Sequence, residues 1–149
     1  MRNVVDIKKV DVSQIRDLRY KVLWPHLDGP NACQIPPDVE ETTFHMAALL
    51  DNKVVGTATL IVDINPRFEE KNQYRLRAMA TDPEMRGYGV GADLVSKAIE
   101  ELKKMNVKLL WCDARLIATG FYEKQDFKIK GQVYQVPKIG PHKLMYKAL

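Results

Sequence analysis

The sequence predicts a mixed α/β sheet, and three observations carry that prediction. Short segments alternate apolar and polar residues with the period of a strand. Three stretches between them repeat apolar residues with the period of a helix. One strand–helix–strand crossover makes a parallel pair the natural arrangement. The resulting order, β-α-β-β-β-α-β-α-β-β, belongs to a mixed sheet with helices on its faces.

Each element has its own warrant. "VVDIKKV" reads as an opening strand, and "VSQIRDLRYKVL" spaces Val12, Ile15, Leu18 and Val22 helically. "WPHLDGPNACQIPPD" is rich in Pro and Gly and reads as a long irregular loop, a common carrier of binding residues. "TFHMAALL" alternates at Phe44, Met46, Ala48 and Leu50, and "DNK" turns it into "VVGTATLIVD" as a hairpin. "YRLRAMA" sets Tyr74, Leu76 and Ala78 on one face and Arg75, Arg77 and Met79 on the other. Val90, Leu94, Val95, Ala98, Ile99 and Leu102 mark an amphipathic helix ending near Met105, and "VKLLWC" follows as the parallel strand. "ARLIATGFYEKQ" reads as helix, "DFKIKGQVYQV" as strand, and "HKLMYKAL" as a last strand entered through Pro141.

The 149 residues suit a single domain, 1–149, with a substantial core. A net charge of +4 comes from lysines and arginines interspersed with acids, so no basic run points to nucleic acid. The chain shows neither a signal-like apolar run nor a membrane span of roughly 20 apolar residues, so the expectation is a cytoplasmic protein with no membrane partner. Cys33 and Cys112 have no metal-ligand spacing, which predicts two reduced thiols and no metal site.

One stretch carries chemistry. In "ATDPEMRGYGVGADL", Arg86, Gly87, Gly89 and Gly91 stand between a strand and an amphipathic helix. Glycine admits positive φ and close backbone approach, and a helix N-terminus presents unpaired N–H groups, so the stretch suits a phosphate. A tight turn that needs glycine for geometry alone is the plain alternative. The spacing is neither the GxGxxG of dinucleotide folds nor a P-loop.

"RGYGVG" carries the pattern Arg/Gln-x-x-Gly-x-Gly/Ala at Arg86, Gly89 and Gly91. With "DPEMRG", "YRLRAMATDPE", "LLWCDAR", "GFYEKQDF" and "VYQVPKIGPHKLMYKAL", the sequence resembles the GCN5-related N-acetyltransferases (GNAT), and within them the glyphosate N-acetyltransferase-like branch, from Leu18 onward. The resemblance implies a mostly antiparallel GNAT sheet whose central parallel pair splays to admit acetyl-CoA. The backbone of Met79, Ala80 and Thr81 would bond the pantetheine arm, and Arg86, Gly87, Tyr88, Gly89, Val90, Gly91 and Ala92 would hold the pyrophosphate. The implied reaction is direct attack of an amine on the thioester. It requires removal of an ammonium proton, stabilisation of an oxyanion and protonation of a thiolate, with no covalent enzyme intermediate.

By the same resemblance His142 is the base and Tyr122 the acid. Arg77 and Arg115 correspond to positions that hold the acceptor's anionic group. Without the resemblance, Tyr122 reads as a packing aromatic and a lone His142 as structural, the reading given to His26 and His45. Helical spacing expects Arg115 and Tyr122 on one side of a helix, flanking Ala114, Ile117, Ala118 and Phe121, with an Arg115–Asp113 salt bridge as the plain alternative for Arg115.

The sequence departs from the branch at three places. Trp24 stands where relatives carry a third arginine of the substrate site, Asp113 replaces an asparagine, and Asp126 replaces a glycine. The expectation is an acetyl-CoA-dependent N-acetyltransferase for a small acidic or amino-acid-like amine, acting as a monomer or homodimer. A transferase for peptide amines and a non-catalytic acetyl-CoA-binding module are the alternatives.

Overall fold

The structure is a computed structural model that describes residues 5–149. Seven strands form one mixed sheet in the order β1-β2-β3-β4-β5-β7-β6. The chain divides into two compact units, Met1–Ile61 with Leu76–Ala98, and Val62–Arg75 with Ile99–Leu149.

In the first unit, β1 (Asp6–Val10) runs antiparallel to β2 (Phe44–Leu50). Val4, at the head of the predicted opening strand, lies outside the described residues. β2 turns into β3 (Lys53–Val62) through Asp51 and Asn52, whose φ values of 51° and 66° match a two-residue hairpin turn whose twist suits the strands. The helix α1 (Arg16–Val22) is shorter than its periodicity predicts, because Val12–Gln14 forms a separate 3-10 turn capped by Asp11. The long loop after α1 contains two further 3-10 turns, Pro30–Ala32 and Pro36–Val39, each opened by proline.

The strand β4 (Gln73–Thr81) buries Tyr74 and Leu76 as alternation predicts. Ala78 does not follow them. It is half-buried with a φ of 49°, an uncommon conformation for a residue with a Cβ, and the strand's regular alternation is interrupted there. The helix α2 (Val90–Lys104) packs its first turns on β3 at Gly56, where a Cβ would lie 2.8 Å from Val90 and 2.9 Å from Leu94. It ends where the periodicity predicts. Asn106, with φ 62°, takes the left-handed position, and Val107 N–H returns to Leu102 O at 3.0 Å.

In the second unit, Gln73–Arg75 of β4 pair in parallel with Leu109–Trp111 of β5 (Leu109–Arg115). The strand β7 (Gly140–Ala148) lies antiparallel between β5 and β6 (Lys128–Val136). Here the predicted helix over "ARLIATGFYEKQ" needs correction. Ala114 and Arg115 belong to β5, because each has a ladder partner in β7: Lys143 for Ala114 and His142 for Arg115. A 3-10 turn at Leu116–Ala118 follows, and only Thr119–Lys124 forms the helix α3. The expected apolar stripe dissolves accordingly, since Ala114 is buried on the strand while Ile117 is 92% exposed.

The glycine that Asp126 replaces has a geometric explanation. Asp126 has φ 67° at the end of α3, its N–H reaches Glu123 O at 3.0 Å, and Phe127 N–H reaches Tyr122 O at 3.1 Å. This is a left-handed helix stop that favours glycine and tolerates aspartate.

Candidate active site

The glycine stretch is entered through a fixed approach. Asp82, buried at the end of β4, accepts hydrogen bonds from Glu84 N–H at 3.1 Å and Lys21 Nζ at 2.9 Å, while its own N–H donates to Val55 O at 2.8 Å. These bonds hold the Asp82 carboxyl below the usual carboxylate range, the Lys21 bond foremost. Arg86, Gly87, Tyr88 and Gly89 are then all exposed. Gly87 and Gly89 have φ of 86° and 78°, which only glycine adopts without strain. Asp93 N–H donates to Gly89 O at 3.0 Å, so the amides of Val90, Gly91 and Ala92 precede the first intrahelical bond of α2. A Cβ on Gly87 would meet nothing within 4 Å. The loop therefore offers open space, three helix-terminal amides and the guanidinium of Arg86 together, a donor set that fits a pyrophosphate.

Before that loop, Arg77, Met79 and Thr81 are half-buried and Ala80 is buried. Trp24 is half-buried just past α1, with its N–H on Arg19 O at 3.0 Å and its ring 5.9 Å from the Arg19 guanidinium carbon. Arg19 was not among the sequence's candidates. It is wholly buried and donates to both oxygens of Asp38, at 2.7 and 2.9 Å, to Thr59 Oγ1 at 2.9 Å and to Cys33 O at 3.1 Å. It thereby ties the long loop to β3. The expected structural role for His45 suits this setting: His45 Nδ1 lies 2.8 Å from Thr59 Oγ1.

In the second unit, two predicted residues come together. Arg115 is the ladder partner of His142 across β5 and β7, and on the other side His142 pairs with Tyr134 of β6, the rings 6.1 Å apart. The β6–β7 turn sets that register. Pro137 opens it, Ile139 N–H closes on Val136 O at 3.0 Å, and Lys138 takes φ 68°. His142 is buried, and its Nδ1 lies 2.9 Å from Gly140 O. A carbonyl only accepts, so this bond assigns the proton to Nδ1 and leaves the Nε2 lone pair to act as a base or acceptor.

Asp113 shares this face, and its partners differ from the plain alternative named for Arg115. Its salt bridge is with Arg75, not Arg115: Arg75 Nη2 donates to Asp113 Oδ2 at 2.6 Å, and the Tyr134 hydroxyl donates to Asp113 Oδ1. Burial first, then this bond to Asp113, raises the Tyr134 phenol well above its ordinary value. Arg115 itself is exposed and makes no ion pair among the described residues. Sequence reasoning missed Tyr134, although a hairpin between "VYQV" and "GPH" was enough to set it opposite His142.

Tyr122 is separate from this group. Its hydroxyl is hydrogen-bonded to the Cys112 thiol, and successive strand residues face opposite ways, so Cys112 and Asp113 lie on opposite faces of β5. Tyr122 is therefore on the face opposite His142, packed between Phe121 and Phe127 with ring centroids 5.0 and 5.4 Å away. It is not beside Arg115, as a shared helix required. Burial pushes the Tyr122 hydroxyl strongly up and the Cys112 thiol up to about 12.

Residues 9–127 match the sequence profile of the Acetyltransferase (GNAT) family. The chain belongs to this family. It is 31% identical over 146 residues to the uncharacterized N-acetyltransferase YitI of Bacillus subtilis (strain 168), which covers 98% of this chain and 97% of that protein. Among solved structures, a putative N-acetyltransferase from Lactobacillus plantarum superposes with a TM-score of 0.78 at 19% identity, covering 99% of each chain. An aminoglycoside 6'-N-acetyltransferase complexed with coenzyme A does so at 0.75 and 17%, covering 96% of each. As a GNAT protein the chain is an acetyl-CoA-dependent acyltransferase. No helix among its described residues is long and apolar enough to cross a membrane.

Proposed function

We propose that this GNAT protein works as one transferase domain, 1–149, that acetylates the amino group of a small acidic, amino-acid-like molecule, in the manner of the glyphosate N-acetyltransferase-like branch. The observation that carries the reading is the cross-strand pair of Arg115 and His142, an exposed cation with no ion pair among the described residues beside an imidazole whose Nε2 is left as a base. A carboxylate or phosphonate on Arg115 would bring an amine one or two bonds away toward Nε2. A guanidinium offers such anions two parallel donors.

Acetyl-CoA supplies the acyl group as a thioester. Arg86 and the amides of Val90 to Ala92 would hold its pyrophosphate, and the backbone of Met79 to Thr81 would align its pantetheine arm. With acetyl-CoA bound, His142 Nε2 would take the ammonium proton, and the amine nitrogen would bond to the acyl carbon and shed its surplus proton to solvent as the C–S bond breaks. From the other face of β5, Tyr122 would give its hydroxyl proton to the departing sulfur and regain one from solvent. Burial pushes the Tyr122 hydroxyl strongly up, so it stays protonated until a strong base such as the departing thiolate forms beside it. Cys112, with its thiol kept protonated, is unsuited to an acyl-enzyme step. By the family resemblance Arg77 and Trp24 would also contact the acceptor, Trp24 with an apolar surface in place of a third cation.

A thiol-release screen with acetyl-CoA across amino acids, aminophosphonates, aminoglycosides and peptides tests the reading. Turnover concentrated among small amines with a carboxylate or phosphonate is the expected result. Turnover confined to peptides or aminoglycosides overturns it.

A further inference from the structure

Two residues apart on a strand, Asp113 and Arg115 share a face with Cα atoms about 6.6 Å apart, well within the reach of an arginine side chain to a carboxylate. Left to themselves they would pair, and Arg115 would be neutralised. They do not pair: each oxygen of Asp113 already accepts a bond, one from Arg75 and one from Tyr134, and the Arg75 guanidinium offsets the carboxylate's charge.

Arg75 is itself held so that this arrangement persists. Its other terminal nitrogen, Nη1, donates to Asp63 Oδ2 at 3.1 Å. Its guanidinium carbon sits 4.7 Å from the centre of the Trp111 ring, and Trp111 Nε1 donates to Asp63 O at 2.8 Å. The guanidinium thus has a carboxylate on each side and an aromatic face beneath it. The parallel ladder, in which Arg75 and Trp111 are register partners, brings it there from 38 residues away.

We propose that Arg75, with Tyr134, is a positioning residue for acceptor specificity: by occupying the Asp113 carboxylate it keeps Arg115 unpaired and available to the acceptor's anionic group. The proposal deepens the acidic-acceptor reading and rests on it. Arg75 does not touch the acceptor. It acts through Asp113, and its removal returns Asp113 to Arg115, which becomes an internal competitor of the acceptor.

The test compares wild type, Arg75→Gln, Asp113→Asn and the double variant Arg75→Gln/Asp113→Asn. The acceptors are aminomethylphosphonate and its diethyl ester. Arg115 reactivity toward phenylglyoxal is read separately by mass spectrometry. In Arg75→Gln the KM for aminomethylphosphonate rises about tenfold, the scale of one charge-assisted bond lost to competition, while the KM for the ester and for acetyl-CoA stays within about twofold. Labelling of Arg115 slows in the same variant.

The double variant restores both values, because asparagine has no charge with which to capture Arg115. A merely structural Arg75 would not be rescued by removing a second hydrogen-bonding partner. Asp113→Asn alone, which needs no sequestration, stays near wild type in both readouts and keeps the test open if Arg75→Gln folds poorly. An unchanged acid KM and unchanged labelling in Arg75→Gln, or a double variant no better than the single, overturns the proposal. Equal use of acid and ester by the wild type sinks the acidic-acceptor reading instead, and the labelling result still decides whether Arg75 keeps Arg115 unpaired.

Discussion

In the first unit the guanidinium of Arg19 is wholly buried and its hydrogen bonds go to Asp38, Thr59 and the Cys33 carbonyl. In the second unit Arg115 stands exposed at the end of β5 with its nearest acid already engaged by another arginine. The same side chain has opposite uses in the two regions. Arg19 closes a loop onto a sheet, and its charge is consumed by the fold. Arg115 has a charge that the fold leaves over. An arginine's role therefore follows from who holds the neighbouring carboxylates.

The largest effect that would break this contrast is on stability. Arg19→Met should cost about 3–5 kcal/mol, because it strands the Asp38 carboxylate, whose side chain is 2% exposed, without its partner. Denaturant unfolding measures this, and a loss below about 1 kcal/mol would show the network to be dispensable. Arg115→Met should behave in the opposite way. Stability stays within about 0.5 kcal/mol, as for an exposed side chain, while kcat/KM for an acidic acceptor falls about 10- to 100-fold. Equal losses of stability in the two variants would erase the distinction.

A smaller effect sharpens it through pH. Burial first, with Asp38 opposing and Arg19 assisting, holds the His45 pKa below its ordinary value of 6.5; Asp11 opposes this shift as well, and Arg16 assists it. The unfolded chain then binds the proton first, so stability should decline as pH falls through about 6.5 toward the folded value. Asp38 contributes in a lower window. Burial works against its charge, but the Arg19 bonds and the Ile35 amide hold its carboxyl below 3.8, so its stabilisation is present above that value and lost as pH falls below it. Replacing His45 by Asn should flatten the decline between pH 7 and 5 and leave the one below pH 4. Thermal melts across that range measure both.

The glycine stretch was legible in the sequence because its requirement is local. Positive φ at Gly87 and Gly89 needs residues without a Cβ, and the apolar spacing that begins at Val90 marks the helix they open. The order of elements along the chain and the parallel pairing of β4 with β5 were legible for a similar reason, being written into periodicity, one hairpin turn and one crossover; the place of β7 between β5 and β6 was not. The end of β5 was not. Ala114 and Arg115 read as the start of a helix, and a partner strand about thirty residues on overrode that preference by pairing them with Lys143 and His142. Asp113 misled in the same way. The sequence offers Arg115 as its neighbour, whereas the parallel ladder brings Arg75, and no local pattern reveals a ladder. Tyr122 kept its place in a short helix but lost the company the helix promised, since Arg115 is on a strand and the Tyr122 hydroxyl rests against Cys112.

The account turns on His142 receiving the acceptor's proton beside an available Arg115, and the pH dependence of kcat/KM tests this most directly. The measurement is a profile on one acidic acceptor for the wild type and for His142→Ala, with and without added imidazole. The wild-type profile should rise with pH through an ionisation that is absent in His142→Ala, and imidazole should restore part of the lost rate. A profile for His142→Ala that keeps the same rising limb at a rate close to wild type would contradict the account and leave water or another group as the base.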